Sequence, residues 1–185
     1  MLEDSERDRC LPEILVMYDK ILSFLEQEGA ELISFSSPLD YNQISKKVGD
    51  IISTQAYEYH GHLYENEANP MDEDVRERVL KAKVMSKSEK IKLFSDIVIN
   101  KEIFLSSIQD FDALLTPTTL DFPPLEIDVD QSVSPGHFTR PINYFGMCAL
   151  SLPMGVGSLG LPASLQICAR PNDEVTAFRV ASWVE

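Results

Sequence analysis

Three short apolar runs stand out in the second half of the chain, and prolines and glycines end them. The runs are residues 111–115, 148–152 and 163–169. The residues that end them are Pro117, Pro153, Gly155 and Pro171. Short apolar runs with such endings are typical of buried strands. A helical segment at residues 138–145 lies between the first two runs, so the pattern predicts an α/β fold in which a sheet is covered by helices.

The first half of the chain shows helical periodicity. From Pro12 onward, apolar residues recur on one face of a helix, and Gly29 follows its last turn. These apolar residues are Ile14, Leu15, Tyr18, Leu22 and Leu25. Residues 30–35 are typical of a strand. This region therefore predicts a helix, a glycine and a strand in succession, a unit that is common in layered α/β folds.

Capping residues mark the remaining helices. Asp40 can cap a helix that extends to about residue 64. Asp72 or Glu73 can begin a short helix that extends to about residue 83. Ser86 and Glu89 have the spacing of a capping box for a helix that ends near residue 109. Its predicted apolar face consists of Ile91, Phe94, Ile97, Val98 and Leu105. Asp173 can cap a last helix that continues to the end of the sequence.

Composition and charge narrow the classes of function. The chain of 185 residues is 44% hydrophobic and 25% charged, which is ordinary for one soluble globular domain. Its net charge of −14 opposes binding to nucleic acid or to an anionic membrane, so neither partner is expected. The chain has no bilayer-length apolar stretch, no secretory signal and no disulfide framework among its three scattered cysteines, which predicts a cytoplasmic protein.

His60 and His62 suggest a metal site at first sight. Residues two apart on a helix point in different directions, so these two side chains cannot share an ion. The neighbouring sequence has no cysteine or carboxylate set that would complete a site. We therefore predict no metal and no other cofactor.

Several motifs resemble one family in their order and spacing. They are residues 112–117 (DALLTP), 138–146 (FTRPINYFG), 149–155 (ALSLPMG), 160–167 (GLPASLQI), Arg170-Pro171 and Asp173-Glu174. Together they resemble the C-terminal part of the amidase signature enzymes, and residues 14–39 and 60–83 resemble it more loosely. The resemblance implies a mixed β-sheet covered by α-helices. It also implies a single partial domain over residues 1–185 that lacks the N-terminal catalytic portion.

Enzymes of that family cleave amides with a serine nucleophile, a second serine on a cis peptide bond and a lysine, and a Gly/Ser-rich loop stabilises the oxyanion. The resemblance implies that these groups precede the region represented here. No other serine offers a substitute: Ser36-Ser37 lacks flanking glycines, Ser106-Ser107 falls within a predicted helix, and residues 155–160 form a turn without a GxSxG frame. We assign no catalytic residue to this chain and expect it to be inactive alone.

The predicted contribution of the chain is one wall of a substrate cleft. Thr139 and Asn143 are four residues apart and share a face of the short helix, and His137 and Phe138 lead into it. The proline-rich residues 118–136 could order over a substrate as a lid or serve as a plain connection. Asn143 could equally tie down the neighbouring backbone.

Two further positions follow from the resemblance. Arg78 aligns with an arginine that grips the substrate carboxylate in the transfer RNA amidotransferase branch, although an arginine here could also cap a helix or lie on the surface. That branch carries an acidic residue near the start of the short helix, where this chain has Gly136. The departure favours a general amidase over a glutamine-using enzyme.

The sequence leaves three hypotheses. The first is a C-terminal fragment of an amidase-signature hydrolase, which acts on a small amide substrate as the full-length enzyme. The second is a non-catalytic interaction module that pairs with an N-terminal half, and the third is part of the amidase-like subunit of a glutamyl-tRNA amidotransferase. An interrupted sheet leaves an open edge and uncovered apolar faces, so we expect a homo-oligomer or pairing with the N-terminal half.

Overall fold

A computed structural model describes residues 1–130 and 133–184. The described α-helices are α1 (Asp4–Arg7), α2 (Pro12–Gln27), α3 (Tyr41–Glu65), α4 (Glu73–Leu80), α5 (Lys87–Ser107), α6 (Thr139–Tyr144) and α7 (Glu174–Val184). The strands are β1 (Leu114–Pro117), β2 (Cys148–Val156) and β3 (Pro162–Ala169). Two 3-10 helices lie at Lys81–Lys83 and Glu126–Asp128.

The three described strands form one antiparallel sheet with β3 in the centre. Ile167 of β3 pairs with Leu115 on one side and with Leu150 on the other. The α/β class is confirmed. Parallel pairing, which a mixed sheet would contain, is limited within the described residues to a single bridge between Leu2 and Phe35.

Pro117 and Pro153 lie inside strands, although the sequence pattern predicted that each strand ends at its proline. β1 begins at Leu114 and includes Pro117, and β2 continues through Pro153 to Val156, so the predicted bounds of both strands were wrong. Both strands are edges of the described sheet, where a residue without an N–H can sit without removing a ladder hydrogen bond. In β2 the pairing register also shifts between Pro153 and Gly155, which is where a bulge relieves the ladder.

The predicted strand at residues 30–35 is wrong. This segment is extended but pairs only with the first residues of the chain: the Phe35 N–H donates to the Met1 carbonyl at 3.0 Å, and the Met1 ammonium donates to the Ile33 carbonyl at 2.7 Å. The preceding helix ends as expected, with Gly29 at a φ of +97°. Within residues 1–130 and 133–184, the segment therefore lacks the neighbouring strand that a sheet requires.

Helix α5 presents a different face to the core from the one predicted. Ile91, Phe94 and Val98 are exposed, whereas Leu93 and Phe104 are buried. Ion pairing of Asp96 with Lys47 of α3 helps to hold this orientation. Ile97 and Leu105, also on the predicted face, are partly buried.

The predicted helix caps are present. The Asp40 carboxylate accepts the Asn42 and Gln43 N–H groups, and Ser86 and Glu89 form the capping box of α5. Asp173 accepts the Thr176 N–H at the start of α7. The predicted continuation of that helix to Glu185, and the part of the 118–136 loop at residues 131–132, lie outside the described residues.

Tyr18 of α2 connects the N-terminal segment to the sheet. Its side chain is fully buried, and its hydroxyl accepts the Leu2 N–H at 3.1 Å and donates to the Leu115 carbonyl at 2.7 Å.

The rings of Phe104 and Phe145 stack with their centroids 4.0 Å apart. These contacts fix α5 and α6 relative to each other, and α6 leads to the cleft described next.

Candidate functional site

A cleft of about 550 Å³ opens between α3, α4 and the segment that leads into α6. We call it the arginine cleft and define it by five of its lining residues: Ser45, Asp50, Arg78, Ser134 and Arg140. Helix α3 supplies Ser45 and Asp50, α4 supplies Arg78, and α6 supplies Arg140. It therefore brings two consecutive helices, α3 and α4, together with α6 from much later in the sequence.

Charged side chains of both signs line the cleft, and they are Lys46, Lys81, Arg78 and Arg140 with Asp50, Asp74, Glu77 and Asp130. Arg78 is exposed, and its Nε donates to the Asp74 carbonyl one turn earlier at 3.0 Å. Arg140 is half-buried, and its Nη1 lies 3.5 Å from the Ser45 carbonyl. Burial, together with the positive charge of Arg78, lowers the pKa of the Arg140 guanidinium.

Of the predicted site residues, Arg78 and Thr139 lie at or beside the cleft. A Cβ on Gly136 would lie 3.0 Å from Thr139 Oγ1 and 3.1 Å from Arg140 Cγ, so these residues pack closely at the cleft wall. Asn143 is exposed further along α6, and its carbonyl accepts the Gly146 N–H at 3.0 Å. Their role in substrate binding stays a prediction.

His137 and Phe138 have side chains in the core. The His137 Nε2 lies 2.6 Å from Glu6 Oε2, and the imidazole ring meets the rings of Tyr41 and Phe138 edge-on. Phe138 is 1% exposed, and its carbonyl accepts the Gln166 amide at 3.4 Å. The structure thus places these two side chains away from Arg78, and their assignment to a substrate site also stays a prediction.

The candidate nucleophilic serines have other partners. The hydroxyl of Ser37 donates to the Leu39 carbonyl at 2.7 Å, and that of Ser107 donates to the Phe104 carbonyl at 2.7 Å. Ser158 donates to the carboxylate of Glu13. In residues 1–130 and 133–184, no serine hydroxyl is hydrogen-bonded to a lysine amine and no peptide bond is cis.

Metal-binding and membrane-spanning features are absent from the described part of the chain. It contains no group of three His, Cys, Asp or Glu side chains arranged to hold a metal ion. None of its helices combines the length and apolar character needed to cross a bilayer.

Sequence reasoning missed Arg140 and Ser45. The Ser45 hydroxyl oxygen is buried and has no hydrogen-bond partner in the described structure. The signal for Arg140 is its place in the first turn of a short helix whose next residues, Pro141 and Ile142, are buried. Arg140 itself is half-buried and lines the cleft.

Comparison with known proteins gives one consistent result. The family model described as Amidase matches residues 1–178. The 2-amino-5-chloromuconic acid deaminase of Comamonas testosteroni is 25% identical over 184 residues, which cover 94% of this chain and 39% of that protein. A subunit of the mitochondrial glutamyl-tRNA(Gln) amidotransferase of Anopheles gambiae is 36% identical over 88 residues, or 44% of this chain and 18% of that protein.

A solved structure agrees on the fold. A crystal structure of an amidase superposes with a TM-score of 0.84 at 17% identity, and the match covers 99% of this chain and 44% of that one. The chain thus spans less than half the length of these proteins.

Proposed function

The chain belongs to the amidase family, and we propose that it supplies the scaffold and one wall of the substrate cleft of an amide-hydrolysing enzyme. The family match and the relatives support an amide hydrolase or amidotransferase domain. The observation that carries the proposed role as scaffold and cleft wall is the superposition of nearly the whole chain on less than half of an amidase.

The reactive serine and its proton acceptor come from outside these 185 residues in this proposal. Amide cleavage requires an activated nucleophile and preorganised donors for the oxyanion. In the part of the chain that the structure describes, no serine hydroxyl is hydrogen-bonded to a lysine amine, and the candidate serines hydrogen-bond to backbone carbonyls or to Glu13. The chain itself orients the substrate, because correct positioning of reactants lowers the barrier of the chemical step.

The test is an amide-hydrolysis assay on the purified chain with short aliphatic and aromatic amides, combined with a serine-reactive fluorophosphonate probe. We expect neither turnover nor labelling. A chimera in which residues 1–178 replace the matched segment of a structurally similar amidase should fold and hydrolyse amides. Serine-dependent turnover by the isolated chain would refute the division of labour, and an unfolded chimera would count against the scaffold role.

A second candidate is part of a transfer RNA amidotransferase subunit. The local identity to such a protein from Anopheles gambiae is higher than the identity to the deaminase, which favours it. The net charge of −14 opposes it, because a transfer RNA would meet an acidic surface. Ammonia transfer to glutamyl-tRNA by an assembly that contains this chain would be its distinguishing result.

A further inference from the structure

A second cleft, of about 490 Å³, is lined both by the extended residues 30–33 and by residues 110–115, which lead into β1 and form its first half. We call it the strand cleft and define it by five of its apolar lining residues, which are Leu32, Phe111, Ala113, Val180 and Trp183. Met1 also lines it. The strand cleft shares no lining residue with the arginine cleft, so it is a separate feature of the molecule.

Strand β1 has the surroundings of an inner strand and the pairing of an edge strand. All four of its residues are buried, but within the described sheet it has a neighbour, β3, on one side only. Exposed edges usually carry charged side chains or lie under a covering element, whereas strands buried on both faces are typical of a sheet interior. β1 contains no charged residue. Its free edge is therefore suited to a further strand.

The backbone of β1 directs hydrogen-bonding groups toward that free edge. The Thr118 N–H donates to the Ser164 carbonyl of β3 at 2.8 Å, whereas the Leu115 carbonyl accepts the Tyr18 hydroxyl on the other side. Successive residues of a strand direct their N–H and carbonyl groups to opposite sides. Ala113, two residues before Leu115, therefore directs its backbone groups away from β3 and toward the strand cleft.

The first two residues of the chain show the direction of a strand in this cleft. Leu2 forms a parallel bridge with Phe35, and the Met1 ammonium donates to the Ile33 carbonyl at 2.7 Å. These contacts are those of a short strand that runs parallel to the facing segment. A strand extended backward from Met1 would run beside residues 31–32, which make no hydrogen bond to another backbone group within the described structure.

The size and polarity of the strand cleft suit a short apolar strand. An extended residue takes up about 3.3 Å along a strand, about 4.8 Å between strands and about 10 Å across the sheet, so roughly three residues would fill the cleft. Burial lowers the pKa of the Met1 ammonium, because the charged form is poorly solvated there. An amide N–H in the same place would keep the hydrogen bond to Ile33 without a buried charge.

We infer that the strand cleft holds an apolar β-strand of about three residues, which runs in line with Met1 and parallel to residues 30–33. The strand comes from the portion of the amidase that this chain does not span, since the superposed amidase extends well beyond the 44% that is matched. Pairing on both sides would join β1 to residues 30–33 in one continuous sheet. This inference rests on the proposed function and deepens it, because it names where and in which direction the rest of the enzyme joins the scaffold.

The test places the tripeptide Val-Ile-Val before Met1 of the full chain. Trp183 reports the result, because it is the single tryptophan of the sequence, lines the strand cleft and is 49% exposed. Filling the cleft should shift the Trp183 emission to shorter wavelength and raise the melting temperature by about 3 °C or more, since apolar surface is buried. A Gly-Ser-Gly extension of equal length removes the same terminal charge and should change neither quantity.

Val180→Thr and Val175→Thr in the Val-Ile-Val protein form a matched pair with the same change of side chain. Both valines lie on α7, but Val180 lines the strand cleft, whereas Val175 is 80% exposed outside it. Val180→Thr should reduce the gain in melting temperature that the extension gives, and Val175→Thr should leave that gain as it is. Circular dichroism should show that all variants are folded.

Three results would overturn the inference. They are an unchanged Trp183 emission and melting temperature in the Val-Ile-Val protein, equal shifts with Gly-Ser-Gly, and equal losses in the two valine variants. An emission shift that grows with protein concentration would also overturn it, because a second copy would then fill the cleft. Hydrolysis by the isolated chain would instead refute the proposed function and leave these shifts as they are, so the two failures are distinguishable.

Discussion

Arg76 and Arg78 lie two residues apart on α4 and have opposite roles. The Arg76 side chain is 7% exposed and ion-paired with Glu73. It also donates to three backbone carbonyls at the end of α3 and in the loop that follows: Tyr64, Asn66 and Asn69. Arg76 therefore holds the connection between α3 and α4, whereas Arg78 is exposed and donates to a carbonyl of its own helix.

We expect Arg76→Met to lower the free energy of unfolding by about 2 kcal/mol. In this variant the three carbonyls lose their contacts with water on folding and have no guanidinium to replace them. Arg78→Gln should change it by less than about 0.5 kcal/mol, as is usual for exposed positions. Urea unfolding of both variants measures the difference. Equal effects would show that the carbonyl contacts of Arg76 do not contribute to stability.

Cys10 makes stability depend on alkaline pH. Burial, with a contribution from the charge of Glu6, raises the pKa of the Cys10 thiol from 9.0 to about 11. Between these values the unfolded chain loses the proton and the folded chain keeps it, so the stabilisation is complete below pH 9 and is lost as the pH rises toward 11. We expect about 2 kcal/mol of the free energy of unfolding to disappear across this window.

Urea unfolding from pH 8 to pH 11 checks this, with Cys10→Ala as the comparison. The variant should show a shallower decline, because it lacks the thiol proton. Parallel curves for the two proteins would contradict the assignment.

The sequence predicted the candidate site in part. The motif FTRPINYFG and the resemblance indicated the neighbourhood of Arg78 and α6, and the structure brings Arg78 and Arg140 to one cleft. The sequence alone could not assign Arg140 to the cleft, because the direction of a side chain on a six-residue helix depends on which neighbours are buried. His137 and Phe138 show the same limit, since burial against Glu6 and Tyr41 is a tertiary contact.

At the level of elements, the capping box makes a local contribution to α5. The Ser86 hydroxyl accepts the Glu89 N–H at 3.2 Å, and the Glu89 carboxylate accepts the Ser86 N–H at 2.7 Å. We expect Ser86→Ala to lower the free energy of unfolding by about 1 kcal/mol. Ser95→Ala, on the same helix but inside it, should be neutral because alanine favours helices. Thermal unfolding distinguishes them, and an equal loss in both would contradict a capping role.

The elements were predictable to the extent that local signals define them. Caps and glycine ends gave the bounds of α2, α3 and α5, because those contacts lie within a few residues. The predicted buried face of α5 was wrong because this helix has apolar residues on several sides. Only the packing of neighbouring elements decides which of these sides is covered. Residues 30–35 have strand-like composition, but a strand requires a partner, which a local pattern does not reveal.

At the level of the whole molecule, α5 leaves an apolar strip of Ile91, Phe94 and Val98 uncovered, with exposures of 60%, 37% and 61%. We expect concentration-dependent association in sedimentation and binding of an environment-sensitive dye, because exposed apolar patches favour association. Phe94→Glu should reduce both and leave the fold intact. Leu93→Glu, at a buried neighbouring position, should unfold the chain instead. A wild type that stays monomeric and binds no dye would contradict the expectation.

The hydroxyl of Tyr18, which bridges Leu2 and Leu115, also has a spectroscopic consequence. Its burial raises the pKa of this phenol well above the usual range. Phenolate and phenol differ in ultraviolet absorbance, so Tyr18 should stay silent in an alkaline absorbance titration while solvent-accessible tyrosines respond. Burial raises the pKa of Tyr41 in the same way, so the absorbance missing from the native protein belongs to both side chains and returns on denaturation. The part of it that is absent in Tyr18→Phe belongs to Tyr18, and that difference reports whether the first residues remain attached to the sheet.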